Sequence, residues 1–152
     1  MRPSWITTNR LEELDLSQSE HHADVVLLIE PDADIAEMYA FGLEQKGFPV
    51  EVAQCLGGAS GVQTIYRLRP QLIVLDLELP LVMGLEVLYA IRHSTDTANV
   101  PVIVLADDSD EYSEAYERGA TECHTRYTTT PMLLVGYVSA ALGVRDTKAK
   151  NL

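Results

Sequence analysis

Asp76 closes an apolar run, Leu72, Ile73, Val74 and Leu75, inside PQLIVLDLELPLVMG. A charge at the end of a segment built for a core is either a turn acid or a site. Other charged residues follow apolar runs in the same way. Glu30 comes directly after residues 25–29, with Asp32 just beyond it; Asp107 follows residues 102–106, and Arg126 ends residues 121–126. If these positions meet, several carboxylates share one crevice and repel each other unless a cation intervenes. Mg²⁺ suits such a cluster, because it takes one or two carboxylates and keeps waters for a phosphoryl group. A carboxylate is also a nucleophile toward phosphorus, forming an aspartyl phosphate, and an arginine holds phosphate oxygens through its planar fork. Plainer readings exist for each residue. Glu30 and Asp32 are acids that a helix N-terminus favours. Asp107 reads better as the cap of an acidic helix than as a ligand. Arg126 reads also as a built-in counter-ion of Asp76, which would favour one fixed conformation.

Whether these residues meet depends on the elements that carry them. Residues 25–29 are a continuous apolar run, the pattern of a strand buried on both faces. EPDAD then starts a helix, capped by Asp32 or by Asp34, the latter with Glu37 at capping-box spacing. Ile35, Met38, Tyr39 and Leu43 recur at helical spacing, and Lys46-Gly47 ends the helix. The alternation continues with a strand over 48–53 and a helix over 56–69 that turns Ala59, Val62, Ile65 and Leu68 inward. Gly57, Gly58 and Gly61 weaken the first turns of that helix. A strand over 72–75, a helix over 84–93, a strand over 102–105 and an acidic helix over 108–118 closed by Gly119 follow. A weaker strand over 121–126 precedes a helix capped by Thr130, with Pro131 at its first position, running to about Leu142. Five strands alternating with five helices make a doubly wound α/β domain around a five-stranded parallel sheet, (βα)5 in order. Right-handed crossovers place all strand carboxyl ends on one edge, where ligands of such sheets sit.

Length and composition bound the function. A chain of 152 residues suits one domain. We divide it into an extension (1–22), a globular domain (23–143) and a tail (144–152). The formal net charge of −12 opposes a phosphate backbone, so nucleic acid is not an expected partner. Cys55 and Cys123 lack metal or disulfide spacing and read as reduced, buried thiols. His21-His22 and Trp5 lie in the extension and carry no motif. The N-terminus has no signal-peptide pattern, and no run approaches the roughly 18 apolar residues of a spanning helix, so a cytoplasmic, membrane-free protein is expected.

From about Ala23 to Leu142 the chain resembles the receiver domain of two-component response regulators. VVLLIEPDADIAEMYAFGLEQKGF is similar to that family's first strand and helix, and PQLIVLDLELPLVMG to its phosphoacceptor strand, D-x-x-L-P-x-x-x-G. NVPVIVLA and YERGATECHTR are similar to its fourth strand and the approach to its fifth. The resemblance implies a flavodoxin-like (βα)5 fold and phosphorylation of Asp76 by a histidine kinase or phosphotransfer protein. It also implies Mg²⁺ held by Glu30, Asp76 and the main-chain carbonyl of Glu78, with Asp32 a weaker candidate. Arg126 takes the place of the family's strand-five lysine.

Several positions depart from the family's pattern. Pro31 stands where a second metal-binding acid is usual and weakens Mg²⁺ binding. Ala106 replaces the switch hydroxyl that binds the phosphoryl group. Tyr127 replaces a proline, Met83 a small or acidic residue, and Cys123 the switch aromatic, while Asp107 adds an anion where something small is preferred. Two readings follow. One is a single-domain regulator with no effector domain, phosphorylated on Asp76, whose output is protein contact. The other is a phosphorylation-independent pseudo-receiver acting as an interaction module. A flavodoxin-like small-ligand binder fits less well, because its first loop should be rich in Gly, Ser or Thr and EPDAD is acidic. No catalytic triad, metal-hydrolase motif or Walker loop is present, so the chain is not expected to be an enzyme. The last helix is apolar almost all round, from Met132 to Leu142, and is expected to meet an effector or a second copy together with its neighbouring strand and helix. Tyr112 and Tyr116 could add to that face.

Overall fold

The computed structural model describes residues 23–54, 59–80 and 83–144. The readings of the extension with Trp5 and His21-His22, of Cys55, Gly57 and Gly58, and of the tail from 145 fall outside the described residues. The elements are β1 (Ala23–Ile29), α1 (Ala33–Gln45), β2 (Val50–Ala53), α2 (Ala59–Leu68), β3 (Pro70–Asp76), α3 (Gly84–Arg92), β4 (Val102–Ala106), a 3₁₀ turn (Ser109–Glu111), α4 (Tyr112–Glu117), β5 (Glu122–Thr125) and α5 (Pro131–Ala141). All four strand pairings are parallel, and the sheet order is β2-β1-β3-β4-β5. The expected (βα)5 doubly wound architecture is the one observed.

The apolar runs explain why β3 and β4 are central. Residues 72–76 of β3 and all of β4 are buried, which only a strand covered on both faces requires. Alternation splits β1 between two cores. Val25, Leu27 and Ile29 face one layer with Ile65, Val87 and Ala115, whereas Val26 and Leu28 face the other with Tyr39, Leu43 and Leu134. The helices of the first layer are therefore α2, α3 and α4, and those of the second are α1 and α5. A buried leucine in either layer truncated to alanine costs about 2–5 kcal/mol.

Several boundaries differ from the sequence reading. The second strand starts at Val50, because Phe48 and Pro49 still belong to the turn that follows Gly47, whose φ of +90° suits glycine. Phe48 is nevertheless buried in the α1–α5 layer. The inward stripe of α1 is Ala36, Tyr39, Ala40 and Leu43, and Met38 is exposed. Small Ala36 and Ala40 let the helix approach the sheet, so the stripe is displaced from the bulkiest residues. Helix α1 is capped by Asp32, whose Oδ1 accepts from the backbone N–H groups of Asp34 and Ile35 at 2.9 and 3.0 Å. Asp34, the alternative cap, sits in the first turn. The acidic helix begins as a 3₁₀ turn and becomes α-helical only at Tyr112.

Arg92 ties the edge of the sheet opposite the strand carboxyl ends. Its guanidinium donates to the carbonyl oxygens of Val100 at 2.6 Å and Gly119 at 2.7 Å, so one side chain joins the loops entering β4 and β5.

Candidate functional site

Strand register brings the charged residues together two by two. Ile29 pairs with Leu75, so Glu30 and Asp76 leave adjacent strands side by side. Ala106 pairs with Thr125, which places Asp107 beside Arg126. The sheet order reverses between β1 and β3, since the chain steps from β1 outward to β2 and then returns to the other side of β1. The site is therefore at the topological switch point, where open α/β sheets leave a crevice.

Asp76 is fully buried, with 0% exposure, and is held at three points. Its Oδ1 accepts from the backbone N–H of Glu78 at 2.8 Å, an Asx-type turn that bends the chain off β3. Nη1 of Arg126 lies 3.1 Å from Oδ2 and 3.4 Å from Oδ1. The structure thus confirms that the distant carboxylate and guanidinium converge. Burial alone would lower the Arg126 guanidinium, but the charges of Asp76, Glu30 and Asp107 outweigh it and hold the group above its ordinary value.

Glu30 is also buried. Its Oε2 accepts from the backbone N–H of Asp32 at 3.1 Å, while Oε1 accepts no hydrogen bond. Burial first, and then the neighbouring charge of Asp76, push its carboxyl up to about 8. Two buried carboxyls side by side resist ionising together, and the Arg126 charge offsets only part of that cost.

Asp107 is not the helix cap. That role belongs to Asp108, whose side chain accepts from Asp110 N–H at 2.8 Å in a reciprocal capping box with Glu111. Asp107 instead faces Arg126, its Oδ1 3.4 Å from Nε. The D-x-x-E spacing of Asp108 and Glu111 was present in the sequence and would have assigned the cap correctly. Asp32 is spent on the α1 cap and is exposed. Pro31 offers no side-chain donor. Ala106 is fully buried, one residue beyond Leu105, the register partner of Asp76, and brings no hydroxyl. Cys123 is a free, buried thiol, as expected, and burial pushes it up to about 11.

One participant went unnoticed as a site residue. Tyr39, read only as core, is 2% exposed, yet its hydroxyl donates to the carbonyl of Thr129 at 2.7 Å. It thereby anchors the segment that leaves Arg126 toward α5. Burial, and then the charges of Glu30 and Asp76, raise its phenol. No periodicity argument separates such a tyrosine from an ordinary core residue.

The glycine of the L-P-x-x-x-G spacing has a local cause. A Cβ on Gly84 would lie 2.5 Å from Cα and 2.8 Å from the carbonyl oxygen of Leu77. Only glycine lets α3 start against the backbone that leaves Asp76.

The donor set for a divalent cation is small. Among the described residues no group of three or more His, Cys, Asp or Glu side chains is placed to hold a metal ion. Two carboxyl groups remain, one with an unpartnered buried oxygen, and Mg²⁺ is typically held by one or two carboxylates with water and phosphoryl oxygens completing its shell. The residues present fit that sparse mode and not a dedicated protein cage.

Similarity to known proteins covers this same region. The family model of the response regulator receiver domain matches residues 26–132. The transcriptional regulatory protein PrrA of Mycobacterium tuberculosis is 33% identical over 131 residues, covering 83% of this chain and 53% of the relative. The phosphate regulon transcriptional regulatory protein PhoB of Escherichia coli is 32% identical over 120 residues, covering 77% of this chain and 51% of the relative. The DNA-binding dual master transcriptional regulator RpaA of Synechocystis is 36% identical over 80 residues, covering 53% of this chain and 32% of that protein. The chain thus spans about half or less of the length of the curated relatives it matches. Among solved structures, the signal receiver domain of a signal transduction histidine kinase from Syntrophus aciditrophicus superposes with a TM-score of 0.69 at 26% identity, covering 82% of this chain and 95% of that one. The chemotaxis response regulator CheY4 of Vibrio cholerae gives 0.70 at 22% identity over 80% of this chain and all of its own, which supports the fold alone.

Proposed function

The chain belongs to the response regulator receiver domain family of two-component signalling, and from that premise we propose that Asp76 is its phosphoacceptor. The observation that carries this reading is the buried Asp76 carboxylate gripped by Arg126 beside Glu30, whose Oε1 accepts no hydrogen bond, at the sheet's switch point. A carboxylate oxygen of Asp76 attacks phosphorus of a phosphohistidine on a kinase or phosphotransfer protein. The P–N bond breaks, and the imidazole leaves with the electron pair and takes up a proton. Arg126 holds phosphoryl oxygens, and the Glu78 N–H keeps Asp76 oriented. Mg²⁺, when bound, neutralises charge on the transferring group, and Glu30, Asp76 and the Glu78 carbonyl would hold it. Ala106 withholds one hydrogen bond to a charged group, worth about 1.5–3 kcal/mol, so transfer is slower and the product less persistent than with a hydroxyl there. The domain itself performs no metabolic catalysis.

Output is by protein contact. Leu134, Val135 and Val138 bury one side of α5, while Met132 is 85% exposed and Leu133 is also open. With exposed Tyr116 and Tyr127 they offer apolar area to an effector or a second copy. No helix among the described residues is long and apolar enough to cross a membrane.

A specific observation favours a second reading. Ala106, fully buried without a hydroxyl, and Pro31, without a metal-binding side chain, suit a pseudo-receiver that works without phosphate and keeps the Arg126–Asp76 pair as it stands. Incubation with acetyl phosphate and Mg²⁺, followed by intact mass measurement, separates the two. Gain of one phosphoryl group, absent from Asp76→Asn, supports phosphotransfer; no gain leaves the phosphate-independent module.

A further inference from the structure

Arg126 does not face Asp76 alone. While Nη1 lies 3.1 Å from Oδ2 of Asp76, Nε lies 3.4 Å from Oδ1 of Asp107. That Asp107 oxygen is buried and accepts no hydrogen bond, so the guanidinium charge is what compensates it. The backbone around Asp107 is fixed independently, because Oε1 of Glu111 accepts from the N–H groups of Asp107 at 3.1 Å and Asp108 at 3.3 Å. The ring of Tyr127 lies beside the guanidinium carbon, 5.4 Å from its centroid.

A guanidinium presents its N–H groups in a rigid plane, with Nε and the two terminal nitrogens on different edges. Asp107 engages the Nε edge and leaves Nη1 to Asp76. The two carboxylates therefore do not compete for one hydrogen, and holding the first edge orients the second. An ammonium, a single point charge, could not be held in this way.

We propose that Asp107 is a positioning residue for Arg126. It fixes the plane of the guanidinium so that Nη1 grips Asp76 and, on the phosphoacceptor reading above, the phosphoryl group that Asp76 accepts. The inference rests on that reading only for its second half.

The test uses the full chain as wild type, Asp107→Ala and Asp107→Asn. Two signals are followed: the Arg126 Nε–Hε resonance by nitrogen-edited NMR, assigned with Arg126→Lys, and binding of beryllium fluoride with Mg²⁺ as a mimic of the phosphoryl group. Water exchange of the Arg126 Nε–H should quicken about tenfold in Asp107→Ala, the scale of one lost charged contact, and less in Asp107→Asn, whose amide oxygen still turns a partial negative charge toward Nε. Beryllium fluoride affinity should fall about tenfold in Asp107→Ala and less in Asp107→Asn. An unchanged Nε–H signal in Asp107→Ala overturns the proposal, and so does tighter beryllium fluoride binding in both variants, the result of simple charge repulsion. If even the wild type fails to bind beryllium fluoride while the Nε–H signal responds as expected, the phosphoacceptor reading fails and the positioning role stands. Should Asp107→Ala unfold, the Asn variant decides on the same two signals.

Discussion

Glu30 lies against Asp76 because Ile29 and Leu75 are partners in the register of β1 and β3, and each carboxyl follows its partner residue off the sheet. Both are buried, one with an oxygen that accepts no hydrogen bond. Most of the behaviour expected of this site follows from that adjacency.

The first expectation concerns pH. The Glu30 carboxyl is raised from 4.5 to about 8 by burial and by Asp76. Between those two values the folded chain keeps a proton that the unfolded chain has released. This contribution is fully present below the lower value, falls as pH rises by at most about 1.4 kcal/mol per pH unit, and levels off above the upper one. Urea unfolding of wild type and Glu30→Gln across pH 5 to 9, roughly that interval, checks this: the difference between them should grow with pH. Parallel curves would refute it. Added Mg²⁺ should bind more tightly as pH rises through the same interval, because binding displaces the proton.

Arg126 supplies the second expectation. Replacing it with methionine leaves Asp76 buried without a cation, at a cost on the order of 3 kcal/mol. Arg126→Lys restores charge but not the fork, and should recover about half of that loss. Thermal unfolding at neutral pH measures both, and the double variant Asp76→Asn with Arg126→Met should lose less than Arg126→Met alone.

Gly84 provides the third. A methyl group there meets Leu77 backbone at 2.5 Å, so Gly84→Ala must push α3 away from the segment that leaves Asp76. A loss of about 1–3 kcal/mol is expected from the overpacking, together with shifted amide resonances of Leu77 and Glu78. A neutral Gly84→Ala would mean that the turn relaxes freely.

The fourth concerns Tyr39. Removing its hydroxyl in Tyr39→Phe leaves the Thr129 carbonyl without that donor in a buried position, costing about 1–3 kcal/mol. Amide exchange should quicken at residues 128–130, next to the Arg126 arm, and not in β1. Uniform loss across the sheet would instead mark Tyr39 as core filler.

The architecture was largely legible before any coordinates. Apolar runs at 25–29, 72–75 and 102–105 announce strands covered on both faces, and Lys46-Gly47, Gly119 and Thr130-Pro131 punctuate the helices through backbone rules that act locally. What misled the reading was also local. Met38 fits the helical period but is exposed, because period alone cannot tell which edge of an apolar stripe meets the sheet. Asp107 reads as the cap that Asp108 makes only while the D-x-x-E spacing is left out, because that spacing joins Asp108 to Glu111 in the capping box and leaves Asp107 to Arg126.

By itself the sequence determined the alternation of strands and helices, the carboxylate at the end of the third strand, and the kinship carried jointly by the first strand and helix, D-x-x-L-P-x-x-x-G, and the fourth and fifth strands. Only the tertiary structure decided who faces whom. Arg126 bridges Asp76 and Asp107, Glu30 is buried against Asp76 with an unmatched oxygen, and Tyr39 reaches across to Thr129. The physical reason is that propensity and hydrophobic period are carried by neighbours in the chain. Charge pairing depends instead on strand register, which brings residues as far apart as Asp76 and Arg126 together only after the sheet has closed.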